Sequence, residues 1–217
     1  MAPKYVLIYF DVRGRAEATR LLFKVAGVEF EDRRMTFEEW GKQKEQWKSA
    51  GKLPFGQLPL LEVDGVLLAQ SIAIARFVAN EFGLTPPANW GKAQADMIVD
   101  GCADFAQKIT PSRFEKDEVK KAQLEEEAKA VTPGFLKCFE DLLRANNGGK
   151  GYFVGDKLTY ADISVFNTLN YAWFDPGNPL STPGELKKFP LLAEHYERIM
   201  NIPAIKNWLK ERPVTQI

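Results

Sequence analysis

The residue types best suited to binding a small ligand lie between residues 54 and 76. Pro59 stands at the start of an apolar run, where a strand tolerates a missing backbone N–H. Asp64-Gly65 separates this run from a second one, which is the pattern of a tight hairpin. Ser71 follows and can cap a helix with apolar residues at helical spacing. Because free N–H groups at a helix start attract anions, we predict a site for a small extended peptide that carries a carboxylate.

The first 82 residues predict a mixed sheet with helices on its faces. An apolar run over residues 5–10 predicts a buried strand, and residues 13–26 predict an amphipathic helix that ends at Gly27. A short strand over residues 28–34 and a polar helix or loop over residues 36–50 follow. The hairpin and its helix complete an α/β domain with four strands, in the order β-α-β-α-β-β-α.

A break in the helical pattern follows this domain. Gly83, Pro86 and Pro87 predict a linker over residues 83–90. The remainder, residues 91–217, predicts an all-helical domain. Thr159 and Asp162 have the spacing of a capping box at the start of one of its helices. The main helices are predicted over residues 90–111, 115–145 with an interruption near Pro133, and 159–174.

The composition excludes several classes of function. Lysine plus arginine and aspartate plus glutamate number 29 each, whereas a nucleic-acid-binding domain carries a basic excess. The sequence has no apolar run of about 18 residues and no pattern of a signal peptide, so we expect neither a membrane span nor export. Cys102 and Cys138 are far apart, and His195 is the single histidine. We therefore expect a cytoplasmic protein without a disulfide framework or metal centre.

An acidic stripe lies on the first helix of the predicted helical domain. Asp96, Asp100 and Asp104 recur at every fourth position and therefore share one face. Three like charges in a row repel one another. Either solvent covers this face, or a cationic group of a partner subunit or of a ligand lies against it.

Motifs over nearly the whole chain resemble the cytosolic glutathione transferases, in particular their sigma class. In the second domain, the resemblance covers residues 149–162 and 203–214. The motifs of the first domain are the more specific ones: Tyr9-Phe10-Asp11-Val12-Arg13-Gly14-Arg15, Pro54-Phe55-Gly56-Gln57-Leu58-Pro59, Glu62-x-Asp64-Gly65 and Gln70-Ser71. The resemblance implies a thioredoxin-like domain that holds glutathione over residues 1–82, and an all-helical domain over residues 91–217 that forms the pocket for the electrophile.

The resemblance also implies the catalytic residues. Tyr9 matches the tyrosine whose hydroxyl donates a hydrogen bond to the glutathione sulfur. Such a bond stabilises the thiolate and lowers the pKa of the thiol, so more nucleophile exists near neutral pH. Arg15 matches a position near the sulfur, where its charge favours the thiolate further. Without the family context, Tyr9 would be interpreted as a packing residue of its strand.

Further positions match the residues that bind the peptide part of glutathione. The backbone at Gln57 and Leu58 would pair with the cysteinyl unit as an added strand, with a cis bond between Leu58 and Pro59. Gln70 and Ser71 would bind the γ-glutamyl carboxylate. Asp104 would reach the γ-glutamyl amine of glutathione in the other subunit of a homodimer.

The segment before Pro54 departs from the sigma pattern because it is longer. Trp40 and one lysine are expected to contact the glycyl end of glutathione, since a cation facing that carboxylate is strongly favourable. Counting back from Gln57 selects Lys48, which we favour, whereas counting forward from residues 31–32 selects Lys44.

The sequence thus predicts a homodimeric glutathione transferase that conjugates small hydrophobic electrophiles in detoxification, without metal or tightly held cofactor. Two alternatives within the class stay open. One is a structural protein of the lens-crystallin kind with reduced catalysis; the other is a glutathione-dependent prostaglandin isomerase. Pro111 weakens the second, because vertebrate isomerases of this class have a tryptophan there. The electrophile pocket is expected to be lined by Phe10, Gln107, Lys108, Pro111 and Phe114.

Overall fold

The structure is a computed structural model that describes residues 3–173 and 184–215, except for the side chain of Trp173. The described chain forms two compact units. One contains the residues up to Leu84 together with those from Ala204 onward, and the other spans Thr85–Pro203. The sequence-based boundary assigned the C-terminal segment to the helical domain, and the structure differs there because that segment packs within the first unit.

The first unit contains a four-stranded mixed sheet, as predicted. Its strands stand in the order β2-β1-β3-β4; β1 pairs parallel with β2 and antiparallel with β3, and β3 pairs antiparallel with β4. The second strand begins three residues later than the sequence predicted. The strands are β1 (Tyr5–Phe10), β2 (Glu31–Met35), β3 (Leu60–Val63) and β4 (Val66–Ala69).

The helices of this unit follow from local sequence signals. The first ends where Gly27 adopts a left-handed conformation with φ of 67°. The second begins with a capping box, in which Thr36 Oγ1 accepts a hydrogen bond from the Glu39 N–H and the Glu39 carboxylate accepts one from the Thr36 N–H. The helices are α1 (Glu17–Ala26), α2 (Phe37–Ser49), α3 (Ser71–Glu81) and α9 (Pro203–Glu211). The predicted order β-α-β-α-β-β-α is confirmed.

The strand β1 lies in the interior of the sheet, and its residues Tyr5 to Tyr9 are buried. A strand that is covered on both faces carries a continuous apolar run, as β1 does. The core around it is formed by apolar side chains of α1, β3 and α3, among them Leu21, Leu22, Phe23, Leu60, Leu61, Ile74 and Val78. This packing holds the carboxyl end of β1 in a fixed place.

A buried guanidinium holds the segment that follows β1. The Arg20 side chain is 0% exposed. Its Nη1 atom donates to the carbonyl oxygens of Val12 and Arg13 at 2.9 and 3.1 Å, and its Nε atom donates to the Asp32 carboxylate at 3.0 Å. The loop after β1 is therefore anchored through its backbone to α1 and β2.

The C-terminal helix α9 is attached to α1 by a buried carboxylate. Glu17 Oε1 accepts a hydrogen bond from Trp208 Nε1 and another from Arg212 Nη1, both at 2.9 Å. Trp208 is itself buried. These bonds explain why the segment from residue 204 onward belongs to the first unit.

The second unit is helical over its described residues, as predicted. The interruption expected near Pro133 is wrong: the helix runs through this proline without a break. Buried residues on both sides of Pro133, from Ala128 to Phe139, continue one packed face and offset the lost hydrogen bond. The end predicted at residue 174 lies outside the described residues. The helices are α4 (Asn89–Ile109), α5 (Pro111–Phe114), α6 (Glu118–Ala145), α7 (Tyr160–Trp173) and α8 (Pro190–Met200).

The start of α7 carries the predicted capping interaction. The buried Asp162 carboxylate accepts hydrogen bonds from the Thr159 N–H and hydroxyl, each at 2.8 Å. It also accepts the Phe153 N–H at 2.8 Å and lies 2.9 Å from His195 Nε2. Asp162 thus organises the interior of the second unit. Among the described residues, no helix has the length and apolar character to cross a bilayer.

Candidate functional site

A cavity of about 260 Å³ opens in the first unit at the carboxyl end of β1. It brings together residues from four separate segments of that unit. The lining residues are Tyr9, Phe10, Arg15, Trp40, Lys44, Gly56, Gln57 and Leu58. Six of them, Tyr9, Arg15, Trp40, Lys44, Gln57 and Leu58, are residues that the sequence predicted to bind glutathione.

The tyrosine hydroxyl at this cavity receives a hydrogen bond from the backbone. Tyr9 is 7% exposed, and its hydroxyl oxygen accepts the N–H of Arg15 at 3.2 Å. The guanidinium carbon of Arg20 lies 6.0 Å from the centroid of the Tyr9 ring. A hydroxyl that accepts a hydrogen bond is a stronger donor itself, because hydrogen bonds in a chain polarise one another. The arrangement suits donation of the hydroxyl proton to an anionic atom.

A glycine allows the backbone to approach the tyrosine this closely. Gly14 has a φ of +41°, and a Cβ atom added there would lie 2.8 Å from the Tyr9 hydroxyl oxygen. The residue therefore needs both the left-handed conformation and the absence of a side chain. Its role in the site was not predicted from the sequence, although a glycine in the loop after a buried strand is a signal for such a close approach.

The segment before β3 forms another wall of the cavity. The Leu58-Pro59 bond is cis, as predicted, and both residues are buried. Gln57 is exposed, and Gly56, Gln57 and Leu58 line the cavity. The pairing of an extended peptide with the backbone at Gln57 and Leu58 stays a prediction, for which these residues lie on the wall of the cavity.

Gln70 and Ser71 lie at the end of the hairpin, next to this wall. Leu60 pairs with Ala69 across β3 and β4, so continuing the register places Gln70 opposite Pro59. The helix α3 begins at Ser71, and Gln70 is the capping residue, with φ of 74° and without a side-chain capping bond. Ser71 is thus the first residue of the helix and not its cap, because Gln70 already leaves the helical conformation.

The two candidate lysines differ in the cavities that they line: Lys44 lines two neighbouring cavities, and Lys48 lines only the second of them. Lys44 is half-buried, its Nζ atom lies 5.9 Å from the centroid of the Trp40 ring, and it lines the cavity with Tyr9. Lys48 is exposed and lines a second cavity of about 520 Å³, which shares Lys44, Gly56 and Gln57 with the first. The structure therefore places Lys44, and not the favoured Lys48, beside the tyrosine.

Aromatic contacts orient the side of the cavity that α2 provides. The ring of Phe10 stacks on Phe37 with centroids 4.5 Å apart. It also meets the Trp40 ring edge-on at 5.9 Å. Trp40 is therefore held against β1 through Phe10, and Lys44 follows one helical turn later.

The acidic stripe of α4 is shorter than predicted. Asp96 accepts a hydrogen bond from the Tyr160 hydroxyl within the second unit, so it does not belong to a solvated acidic row. Asp100 and Asp104 are exposed. The periodicity placed all three on one face, but it did not indicate that a tyrosine of α7 would cover the first.

The residues predicted to contact the electrophile lie on two units. Phe10 lines the cavity of the first unit. The other four are exposed at the carboxyl end of α4 and in α5 of the second unit: Gln107, Lys108, Pro111 and Phe114.

Fold and site together define a class of protein. A mixed β2-β1-β3-β4 sheet with a cis-proline before its third strand, followed in the chain by an all-helical unit, is the thioredoxin-like glutathione S-transferase fold. The family model of the glutathione S-transferase N-terminal domain matches residues 5–80. The family model of the glutathione S-transferase C-terminal domain matches residues 103–212. The chain belongs to the glutathione S-transferase family and is an enzyme of that class.

Relatives match over their full length. The chain is 38% identical over 215 residues to the probable glutathione S-transferase 8 of Caenorhabditis elegans, with 98% of each chain covered. It is 37% identical over 218 residues to the hematopoietic prostaglandin D synthase of Gallus gallus, with 99% of this chain and 100% of the relative covered. A solved glutathione S-transferase of the hookworm Necator americanus, described as monomeric, has a TM-score of 0.84 at 37% identity, over 99% of this chain and 100% of its own.

We predict that Gly14→Ala lowers kcat/KM for glutathione conjugation by about 10- to 100-fold, because the added methyl displaces the Tyr9 hydroxyl. Gly27→Ala is the matched control, since Gly27 also has a positive φ but its added Cβ would meet nothing within 4 Å. Gly27→Ala should lose about 1 kcal/mol of unfolding free energy in urea, and Gly14→Ala should lose about 1–3 kcal/mol more, because its methyl group also crowds the buried Tyr9 side chain. Equal conjugation rates for the two variants would contradict the role given to Gly14.

Proposed function

We propose that this glutathione S-transferase adds the glutathione thiolate to small hydrophobic electrophiles, and that Tyr9 stabilises the thiolate. The observation that carries the proposal is the buried Tyr9 hydroxyl, which accepts the Arg15 N–H at 3.2 Å on the wall of a cavity with Gln57 and Leu58. A donor that is already polarised and fixed in place has little to reorganise when charge develops on sulfur.

The proposed reaction needs one proton transfer, the formation of one bond and the cleavage of another. The thiol of bound glutathione releases its proton to solvent, and the Tyr9 hydroxyl donates a hydrogen bond to the sulfur anion. The sulfur lone pair then forms a bond to the electrophilic carbon, and the leaving group departs with its bonding electrons. A thiol with a pKa of about 8.5 is only a few per cent ionised at neutral pH, so lowering that pKa directly increases the reactive fraction.

Arg15 supports the same charge from a different direction. Its backbone N–H holds the tyrosine hydroxyl, whereas its exposed side chain lines the cavity. A guanidinium there adds positive potential near the sulfur and favours the thiolate. We propose that no metal ion and no cofactor takes part, with glutathione serving as co-substrate.

The rest of the peptide is proposed to bind through backbone and helix ends. The cysteinyl unit pairs with the backbone at Gln57 and Leu58, and Gln70 with Ser71 binds the γ-glutamyl carboxylate at the start of α3. The first turn of a helix offers free N–H groups to an anion. Asp104 of a second copy is proposed to bind the γ-glutamyl amine.

For the glycyl carboxylate we propose Trp40 and Lys44 in place of Lys48. The support is placement, because Lys44 lines the cavity of Tyr9 and packs beside Trp40, while Lys48 is exposed in the neighbouring cavity.

We propose a sigma-class enzyme that acts as a homodimer in the cytoplasm and serves detoxification. Exposed side chains such as Phe55 (63%), Met97 (52%) and the pair Asp100 and Asp104 support an interface. Since the hookworm relative is described as monomeric, sedimentation velocity decides the assembly, and a stable monomer at micromolar concentration would exclude the role of Asp104.

A second candidate function is the isomerisation of a prostaglandin. One observation favours it: the chain is 37% identical to a hematopoietic prostaglandin D synthase. An assay for prostaglandin D formation beside one for conjugation separates the two activities.

The lens-crystallin alternative has less support, because Tyr9, Arg15 and Gln57 all line one cavity.

The contacts of Gln107, Lys108, Pro111 and Phe114 with the electrophile stay a prediction, which a panel of electrophiles tests on their alanine variants.

We predict that Tyr9→Phe lowers the conjugation of glutathione with a chloronitrobenzene on the order of 10²-fold near neutral pH, because the donor to the sulfur is lost. Tyr5→Phe is the matched control, since Tyr5 is a second buried tyrosine of β1 that does not line the cavity. Undiminished activity of Tyr9→Phe, with Tyr5→Phe as reference, would remove Tyr9 from the mechanism.

The lysine assignment has its own test. Lys44→Gln should raise KM for glutathione about tenfold with little change in kcat, because a charge-assisted hydrogen bond to the carboxylate is lost in ground state and transition state alike. Lys48→Gln should leave KM within about twofold, as surface charges contribute little. The opposite pattern would return the glycyl carboxylate to Lys48.

A further inference from the structure

The backbone of the loop between β1 and α1 makes hydrogen bonds both to Arg20 and to Tyr9. Arg20 Nη1 donates to the carbonyl oxygens of Val12 and Arg13. The N–H of Arg15 donates to the Tyr9 hydroxyl at 3.2 Å. Because only Gly14 separates the anchored carbonyls from the functional N–H, a shift of the Arg20 guanidinium moves the donor that polarises the tyrosine.

Glu17 keeps that guanidinium in place. Its Oε2 atom lies 3.1 Å from Arg20 Nη1, and both side chains are at most 1% exposed. Its Oε1 atom accepts from Trp208 Nε1 and Arg212 Nη1. One buried carboxylate therefore joins the C-terminal helix α9 on one oxygen to the support of the Tyr9 loop on the other.

The charge state of Glu17 depends on all of these partners. Burial alone raises the pKa of this carboxyl, but the charges of Arg20 and Arg212 and the hydrogen bonds from Arg212 and Trp208 outweigh burial and hold the pKa below its ordinary value. A buried carboxylate that loses a donor must find another or shift position. The other charged group beside Arg20 is Asp32, which Arg34 also contacts at 2.7 Å.

We propose that Glu17 is a positioning residue for catalysis, through which Trp208 of α9 and Arg212, the residue after α9, set the Arg15 N–H against the Tyr9 hydroxyl. The proposal rests on the proposed role of Tyr9 and extends it to residues that do not touch the cavity. The C-terminal helix then acts on the reactivity of the sulfur and not on the binding of glutathione.

The test uses substitutions at the far end of this chain of contacts, because replacing Glu17 or Arg20 would leave a buried charge of their ion pair without its partner and would destabilise the fold. Trp208→Phe keeps an aromatic ring and removes the indole N–H, and Arg212→Gln removes the charge beside Oε1. Trp90→Phe is the matched control, as Trp90 is 76% exposed in the second unit. Urea unfolding establishes that each variant is folded under assay conditions.

Two readouts are measured on the full-length protein. The first is the pH profile of kcat/KM for conjugation with a chloronitrobenzene. Trp208→Phe and Arg212→Gln should reduce kcat/KM about threefold to fivefold near pH 6.5 and less than about 1.5-fold near pH 8.5, since at high pH the thiolate forms without the tyrosine. KM for glutathione and the profile of Trp90→Phe should stay as in the wild type.

The second readout is amide hydrogen exchange, which needs no glutathione. The Arg15 amide should exchange about fivefold faster in Trp208→Phe than in the wild type, whereas the amide of Leu7 in the interior strand β1 should not change. If the wild type fails to conjugate, the proposed function is wrong and this exchange still decides the positioning role. An unchanged Arg15 amide, equal acceleration at Leu7, or a loss of kcat/KM that is the same at every pH would overturn the inference.

Discussion

The first unit depends on a guanidinium that is buried without contact to solvent. Transferring the charge of Arg20 from water to a protein interior is unfavourable by several kcal/mol unless partners replace the lost hydration. Here the partners are the carboxylates of Glu17 and Asp32 and the backbone carbonyls of Val12 and Arg13. These partners belong to three parts of the unit, so pairing this one charge fixes the loop after β1, the start of α1 and the strand β2 relative to one another.

The site is a consequence of that fixed loop. With its carbonyls facing Arg20, the loop presents the Arg15 N–H to the end of β1, where Tyr9 is held by the packed core. The segment before the cis Leu58-Pro59 bond forms another wall of the cavity, and α2 supplies Trp40 and Lys44. In the proposed function, the chemistry rests on one hydroxyl, whereas recognition of the peptide rests on backbone groups and helix ends, which are rigid at no cost in side-chain entropy.

Much of this architecture could be predicted from the sequence, and the exceptions have physical reasons. The Asp64-Gly65 hairpin and the helical periods specify the β-α-β-α-β-β-α order because they are local signals. Pro133 is also a local signal, but packing on both sides of α6 overrides it. The sequence does not show that Arg20 and Glu17 are buried partners, because charged residues three apart on a helix are equally typical of an exposed ion pair.

The choice between Lys44 and Lys48 depends on the placement of α2 and not on residue type. The hydrogen bond between Asp96 and Tyr160 could not be predicted either, because the two residues are 64 positions apart in sequence.

The proposed chemistry depends on the Tyr9 hydroxyl, which would lower the pKa of the thiol of bound glutathione. The most direct measurement is a pH titration of the ultraviolet absorbance of the thiolate in the complex with glutathione, for the wild type and for Tyr9→Phe. We expect the thiol pKa in the wild-type complex to lie about one to two units below that of free glutathione, and to return towards the free value in Tyr9→Phe. Equal pKa values in the two complexes would contradict this expectation.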